Sequence, residues 1–372
     1  IFKADMALSD GRSVGIALSG GGFRATLFGL GSLWYLSDAR LLGRLDRVCS
    51  VSGGSILAGV LAHQWKSLKF EDGKAVNFQT EIVERVLRFC SQTIDWQAGG
   101  LGILNPFKSA GDYLAGRYSK DLFGNARLSD LPTRSQGGAP LFVIYATNLQ
   151  TGRSFRFTQD YVADYYLGTN SALNPTLALA VAASSAFPPI FSPISIRAHP
   201  TDWQNPDWRG SEGDLKAIQT DLELGDGGIY DNLGLESLRE DVALVSDAGA
   251  PFQPKLHIQP NYVSQLARVR DILIDQTRAL RKRELLDSFK QRRRNGTYWG
   301  ITTSINDYPA LNKLLIDSDV TRAHSKIDTR LSSLPRKTQC QLVNWGYALA
   351  DAAVRSYALL DKDVPSALPL TP

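Results

Sequence analysis

Two glycine-rich stretches, Leu18-Ser19-Gly20-Gly21-Gly22-Phe23-Arg24 and Val51-Ser52-Gly53-Gly54-Ser55, set the architecture of this 372-residue chain. Each follows a short apolar run and precedes apolar residues at helical spacing, so each predicts a turn from a buried strand into a helix. Two such units in succession indicate parallel strands joined by helical crossovers. The first turn can offer backbone N–H groups to a developing negative charge, and the second exposes a serine. Together they suggest acyl-transfer chemistry.

The rest of the chain continues the alternation of strands and helices. Strands are predicted over 14–18, 48–51, 141–147, 154–158, 222–224, 243–246 and 255–258, and helices over 25–36, 56–65, 81–90 and 176–185. After Tyr262 the pattern is almost wholly helical to about residue 360. No linker, repeat or low-complexity segment divides the chain, so we expect one α/β domain over residues 1–372, with a core over 13–260 and a helical part over 261–372.

Composition places the chain among globular proteins, because 43% of its residues are hydrophobic and 21% are charged. The net charge of +4 does not imply a nucleic-acid partner, and we expect none. The sequence contains no run of 18 or more apolar residues, so no transmembrane helix is predicted. The three cysteines lack metal-ligand spacing and predict buried free thiols in a reducing compartment. We expect a cytoplasmic or peripheral membrane location; because the first residue is Ile1 rather than Met, secretion stays open.

Ser52 is the candidate nucleophile. A serine at a sharp strand-to-helix turn needs small neighbours, and the usual signature is G-x-S-x-G. Ser50–Gly54 of this chain reads S-V-S-G-G, so a serine replaces the first glycine. The following helix, which begins at Gly53, directs its positive end at Ser52. A polar strand-to-helix connection with an N-cap is the alternative interpretation.

The candidate oxyanion-binding loop is Gly20-Gly21-Gly22. Consecutive glycines let backbone N–H groups face a common point at a helix N-terminus. A tight turn or a phosphate-binding loop is the alternative, although neither a P-loop nor a G-x-G-x-x-G frame is present. Arg24, on the first turn of the helix, can pair with an acidic neighbour or hold a substrate phosphate.

Asp226 is the candidate base for Ser52. Gly225-Asp226-Gly227-Gly228 follows a predicted strand, and its glycines permit close approach to a neighbour. In a dry pocket this carboxylate can accept the serine proton. An ordinary Asp-Gly turn is the alternative. The order Ser52, Asp226, His257 also fits a triad of the α/β-hydrolase type, but a nucleophile so near the start of the domain argues against it.

In chain order these three pieces resemble the patatin-like phospholipase family. The G-G-G-x-R pattern falls on Gly20–Arg24, the nucleophile pattern on Ser50–Gly54 and the aspartate pattern on Asp226–Gly228. Segments 146–152 and 183–193 also resemble the family, so the similarity covers about residues 13–240. The chain departs from the family pattern at Ser50, which replaces the first glycine of the nucleophile signature.

The resemblance implies a three-layer α/β/α sandwich with a mostly parallel central sheet and a helical C-terminal extension. It implies hydrolysis of carboxylic esters of lipids by a dyad of Ser52 and Asp226. The oxyanion hole would come from Gly20, Gly21, Gly22 and Gly53, without a metal or cofactor. A regulated or inactive effector with the same fold is an alternative, and a phosphate-binding protein is a weaker one.

Two further segments bear on a lipid substrate. The region Val263–Arg294 predicts a long helix with basic clusters and an apolar stripe, which fits either peripheral membrane contact or packing on the domain. The glycine-rich apolar region 95–107 predicts either a mobile cap or a buried irregular segment.

Overall fold

The computed structural model describes residues 11–94, 109–357 and 367–371. The predicted segment 95–107 therefore lies outside the described residues. The strands are β1 Val14–Leu18, β2 Arg47–Val51, β3 Phe70–Glu71, β4 Lys74–Ala75, β5 Leu141–Asn148, β6 Arg153–Phe157, β7 Val162–Asp164, β8 Gly168–Asn170, β9 Ile194–Arg197, β10 Trp203–Gln204, β11 Asp221–Asp226, β12 Val242–Asp247 and β13 Asn295–Gly300. The α-helices are α1 Gly22–Asp38, α2 Gly53–Gln64, α3 Glu84–Phe89, α4 Ala110–Tyr118, α5 Leu177–Ser185, α6 Glu212–Thr220, α7 Gly228–Asp231, α8 Tyr262–Lys290, α9 Asp319–His324 and α10 Arg336–Ser356.

One mixed sheet organises the molecule. Its central strands run in the order β5-β2-β1-β12-β13 and pair in parallel. Antiparallel strands β6, β7, β8 and β10 extend the sheet beyond β5, and β11 pairs antiparallel with both β5 and β9. The parallel strands β1 and β2 end at the same edge of the sheet, where both glycine-rich turns therefore lie.

Helices cover both faces of the sheet and produce three layers. Side chains alternate along each strand, so Ile16 and Val48 join the larger hydrophobic core while Ala17 and Cys49 join a smaller one on the other face. Helices α1, α2 and α10 contribute to the larger core, and Leu285 of α8 packs in the smaller one. The expected α/β/α sandwich is confirmed.

The C-terminal third departs from the almost wholly helical prediction. α8 and α10 are helices as expected, but the segment Asn295–Gly300 between them forms β13, which pairs in parallel with β12. Residues 255–258, predicted as a strand, are exposed and have no regular structure. These two errors share a cause, because strand formation depends on a partner strand that lies far away in sequence.

The three cysteines are buried free thiols, as expected. Among the described residues, none of the helices is both long enough and apolar enough to cross a bilayer. The described ranges also contain no group of three or more His, Cys, Asp or Glu side chains placed to hold a metal ion.

Candidate active site

Ser52 occupies a strained turn between β2 and α2. Its backbone φ is 51° and its ψ is −119°, a conformation that side-chain-bearing residues rarely adopt. It precedes Gly53, the first residue of α2, so the positive end of the helix dipole lies beside the side chain. The residue remains 9% exposed. This geometry presents a serine hydroxyl at the end of a strand, as a nucleophile requires.

The glycine loop packs directly against this turn. A Cβ on Gly53 would lie 2.1 Å from the carbonyl oxygen of Gly22, so no other residue fits there without backbone movement. Gly21 and Gly22 have φ values of 145° and 59°, in the region that favours glycine. Within the described part of the chain, the N–H groups of Gly21, Gly22 and Gly53 have no hydrogen-bond acceptor. They are the donors that the site can offer to an oxyanion.

Gly20 does not fit its expected role as an oxyanion donor. Its N–H donates to the carbonyl oxygen of Asn232 at 3.0 Å and is therefore occupied. A Cβ at this position would lie 2.3 Å from Asn232 Oδ1 and 3.2 Å from the Ser52 Cβ. Gly20 thus permits the close approach of these neighbours rather than supplying a hydrogen bond to substrate.

Strand pairing brings Asp226 to Ser52. β2 lies along β5 until Val51 pairs with Tyr145, and β11 runs in the opposite direction along the same side of β5 until Asp226 pairs with Ala146. The two strands therefore meet end to end. The Asp226 carboxyl accepts a hydrogen bond from the Gly228 N–H at 2.7 Å, and the Ser52 hydroxyl lies near enough to lower the pKa of this carboxyl.

Asp226 lies in a poorly solvated position and is only 3% exposed. Burial raises the pKa of its carboxyl from 3.8 to about 7, although the hydrogen bonds from Gly228 and Ser52 oppose this rise. A carboxylate with a pKa near neutrality is a much stronger base than an exposed aspartate, and it can accept the proton of a hydroxyl in contact with it.

Ser184, which the sequence analysis did not single out, connects the two residues. Its Oγ accepts the N–H of Ser52 at 2.9 Å, and its carbonyl oxygen accepts the N–H of Gly227 at 3.2 Å. Two residues further, the carbonyl oxygen of Ala186 accepts the N–H of Asp226 at 3.0 Å. The C-terminal turn of α5 therefore holds both candidate catalytic residues. The sequence offered no signal for this role beyond the resemblance of segment 183–193 to the family.

Arg24 does not reach a substrate position. It is fully buried, and its Nε donates to the Ala248 carbonyl oxygen at 2.9 Å. Its Nη1 donates to the Ile327 carbonyl oxygen and its Nη2 to Thr329 Oγ1 at 2.9 Å. The expectation that Arg24 contacts substrate is therefore wrong. Its guanidinium instead binds two loops of the protein and so anchors α1 to them.

The histidines do not complete a triad. His257 lies exposed in the irregular segment before α8, and it is not among the hydrogen-bond partners of Asp226. His63 contacts Gln64, and His199 contacts Thr201. His324 is buried in α9, far along the chain from either turn. Of the candidate bases, the Asp226 carboxyl is therefore the one that the structure places near the Ser52 hydroxyl.

Comparison with known proteins identifies the family of this chain. The profile of the patatin-like phospholipase family matches residues 16–239. The chain belongs to this family, whose chemistry is the hydrolysis of acyl esters of lipids. No curated protein sequence matches it.

Solved structures are also similar to this chain. Human GIVD cytosolic phospholipase A2 superposes with a TM-score of 0.53 at 12% identity, covering 96% of this chain and 61% of the other. VipD from Legionella pneumophila shows 16% identity and a TM-score of 0.36, covering 89% and 66%. The chain thus spans about three fifths of the length of the human protein. At 12% identity, the similarity to the human protein establishes only that the two proteins share a fold.

Proposed function

We propose that this protein is a serine acyl hydrolase that cleaves carboxylic esters of lipids with Ser52 as nucleophile and Asp226 as base. The observation that carries the proposal is that the strained Ser52 turn at the end of β2 meets the buried Asp226 carboxyl, whose pKa is about 7, at the end of β11. Membership of the patatin-like phospholipase family supports lipids as the substrate class.

The first half of the reaction forms an acyl-enzyme. Ser52 Oγ attacks the ester carbonyl carbon while its proton passes to the Asp226 carboxylate. The carbonyl electron pair moves onto oxygen, where the N–H groups of Gly21, Gly22 and Gly53 stabilise the charge. The tetrahedral intermediate then collapses, the ester C–O bond breaks, and Asp226 returns its proton to the leaving alkoxide.

The second half restores the enzyme. Water attacks the acyl-enzyme carbonyl and gives a proton to Asp226, and the same N–H groups stabilise the second tetrahedral intermediate. Collapse of this intermediate breaks the bond to Ser52 Oγ, which takes the proton back. The products are a carboxylic acid and an alcohol, and Asp226 acts as base and then as acid in each half.

The test is hydrolysis of a phospholipid and of p-nitrophenyl butyrate by the full chain and by three variants. Ser52→Ala and Asp226→Asn should each lose at least a thousandfold in kcat, since each removes a reacting group. His257→Ala should retain wild-type activity. Absence of turnover by the wild type would indicate a regulated or inactive effector, and loss of activity in the His257 variant alone would indicate a histidine base.

A further inference from the structure

Helix α8 carries an apolar face that nothing in the described structure covers. Seven large apolar side chains along it are between 40% and 76% exposed. They are Tyr262, Val263, Leu266, Val269, Ile272, Leu273 and Leu280. Contiguous exposure of this kind marks an interaction site on a folded protein.

The helix is fixed with this face outward. Residues 262, 266, 269, 273 and 280 recur at intervals of three, four or seven and so lie along one line of the helix. The opposite side is anchored to the domain. There, Arg278 pairs with Asp247 at 2.7 Å, Arg281 pairs with Glu236 at 3.0 Å, and Leu285 is buried. The exposed line therefore cannot turn inward without breaking these contacts.

The same helix passes beside both halves of the candidate active site. Arg270 donates to the Pro188 carbonyl oxygen at 3.2 Å and stacks 5.3 Å from the Phe187 ring, directly after the residue that binds the Asp226 N–H. Arg278 donates to the Gly249 carbonyl oxygen at 3.1 Å, next to the loop that supports the glycine triplet. Helix α8 thus contacts the segments that adjoin both halves of the candidate site.

The charge and the width of the exposed apolar face of α8 indicate what kind of surface it contacts. At the C-terminal end of the apolar line, the exposed cations Arg283, Lys290, Arg292 and Arg293 outnumber the exposed anions Glu284 and Asp287. Residues flanking the line include Gln265, Ile272 and Thr277, whereas the seam of a coiled coil is flanked by charged positions. A broad apolar face with a cationic end fits the boundary between acyl chains and anionic headgroups.

We propose that the outer face of α8 docks on an anionic phospholipid bilayer and brings the active site to the lipid surface. The apolar line enters the headgroup and acyl boundary, and the basic end contacts headgroup phosphates. The proposal deepens the function proposed above and rests on it for the identity of the lipid as substrate, but docking itself requires no turnover.

The test is sedimentation of the full chain with vesicles of phosphatidylcholine containing about a third phosphatidylglycerol. The variant Leu266→Gln/Val269→Gln/Leu273→Gln removes the centre of the apolar line. Leu311→Gln/Ile316→Gln/Val320→Gln is the matched control, because it changes three similarly exposed aliphatic residues outside α8. We expect the first variant to lose at least tenfold in vesicle partitioning and in hydrolysis of vesicle lipid. Its activity on soluble p-nitrophenyl butyrate should stay unchanged, and the control should behave as wild type.

Other outcomes overturn the docking proposal. Equal sedimentation of the α8 variant and the wild type would do so. So would a wild-type dimer that the α8 substitutions convert to a monomer without a change in vesicle binding, since the face would then join two copies of the chain.

Vesicle binding that depends on the α8 face in a protein without esterase activity would support docking while refuting the proposed hydrolase.

Discussion

Burial of Asp226 connects the chemistry of the site to the stability of the protein. The carboxyl receives a backbone hydrogen bond from Gly228 and lies near the Ser52 hydroxyl, which is too little to offset its loss of hydration, so its pKa rises to about 7. The protein thus maintains a destabilised carboxylate next to the nucleophile. Two measurable pH effects follow from this one group.

The first effect is on rate. Only the ionised carboxylate accepts the serine proton, so we expect kcat/KM to rise about tenfold per pH unit below pH 7 and to reach a plateau above it. Initial rates on p-nitrophenyl butyrate between pH 5 and 9 measure this profile. A rate that is flat from pH 5 to 8 would contradict the role of Asp226 as base.

The second effect is on stability. The folded pKa of about 7 exceeds the unfolded value near 3.8, so the folded state binds more protons between these limits and stability falls as pH rises through them. Asp226→Asn removes the buried charge. We expect the variant to exceed the wild type in unfolding free energy by up to about 4 kcal/mol at pH 8, with no gain at pH 4. Urea unfolding at both pH values is the measurement; equal stability at pH 8 would show that the carboxyl is well solvated.

Sequence alone predicted the residues whose roles depend on local backbone. The glycine neighbours of Ser52 and Asp226 indicated close approach at both positions, and the structure brings the two together. The sequence could not predict the structural roles of Arg24 and Gly20. The carbonyl acceptors of these two residues, on Ile327 and Asn232, lie hundreds of positions along the chain.

At the scale of elements, the C-terminal turn of α5 holds the site together. Because Ser184 Oγ accepts the N–H of the strained Ser52 residue, Ser184→Ala leaves that buried donor without a partner. We expect kcat to fall about tenfold or more with KM nearly unchanged, since the change misplaces the nucleophile without altering substrate contacts.

Ser185→Ala is the control for this prediction. Ser185 is the next residue and is equally buried, but its Oγ bonds to the Val181 carbonyl oxygen rather than to Ser52. Steady-state kinetics should therefore separate the two variants. Equal effects would mean that α5 contributes only general packing.

Elements were predictable where their hydrophobic period is strong. The first two strand–turn–helix units fall within a few residues of their predicted bounds, because buried strands and helices at the start of the chain have distinct patterns. β13 has no such pattern. Its sequence N-G-T-Y-W-G contains three residues of high strand propensity but is short and flanked by glycines, and it becomes a strand by pairing with β12.

At the scale of the whole molecule, the C-terminal helix completes the core formed by the first helix. α1 and α10 approach so closely that a Cβ on Gly31 would lie 1.9 Å from the Val343 carbonyl oxygen, and one on Gly346 would lie 2.0 Å from the Phe28 carbonyl oxygen. The helical C-terminal part and the α/β part therefore share a hydrophobic core. The resemblance predicted the layers but not this contact.

Gly346→Ala tests this shared core. The added methyl group forces the two helices apart, so we expect a loss of at least 2 kcal/mol in unfolding free energy. Gly116→Ala is the control, since nothing lies within 4 Å of its Cβ position in helix α4, and it should stabilise the protein slightly. Urea unfolding measures both. A wild-type value for Gly346→Ala would show that α10 is peripheral to folding.

In the proposed mechanism, Asp226 activates Ser52 as the nucleophile without the help of a histidine. Reaction of the full chain with a fluorophosphonate, followed by peptide mass spectrometry, tests it most directly. We expect a single adduct on the Ser52 peptide, absent in Ser52→Ala, formed at least a hundredfold more slowly in Asp226→Asn and unchanged in His257→Ala. An unlabelled wild type, or an adduct that persists in Ser52→Ala, would contradict it.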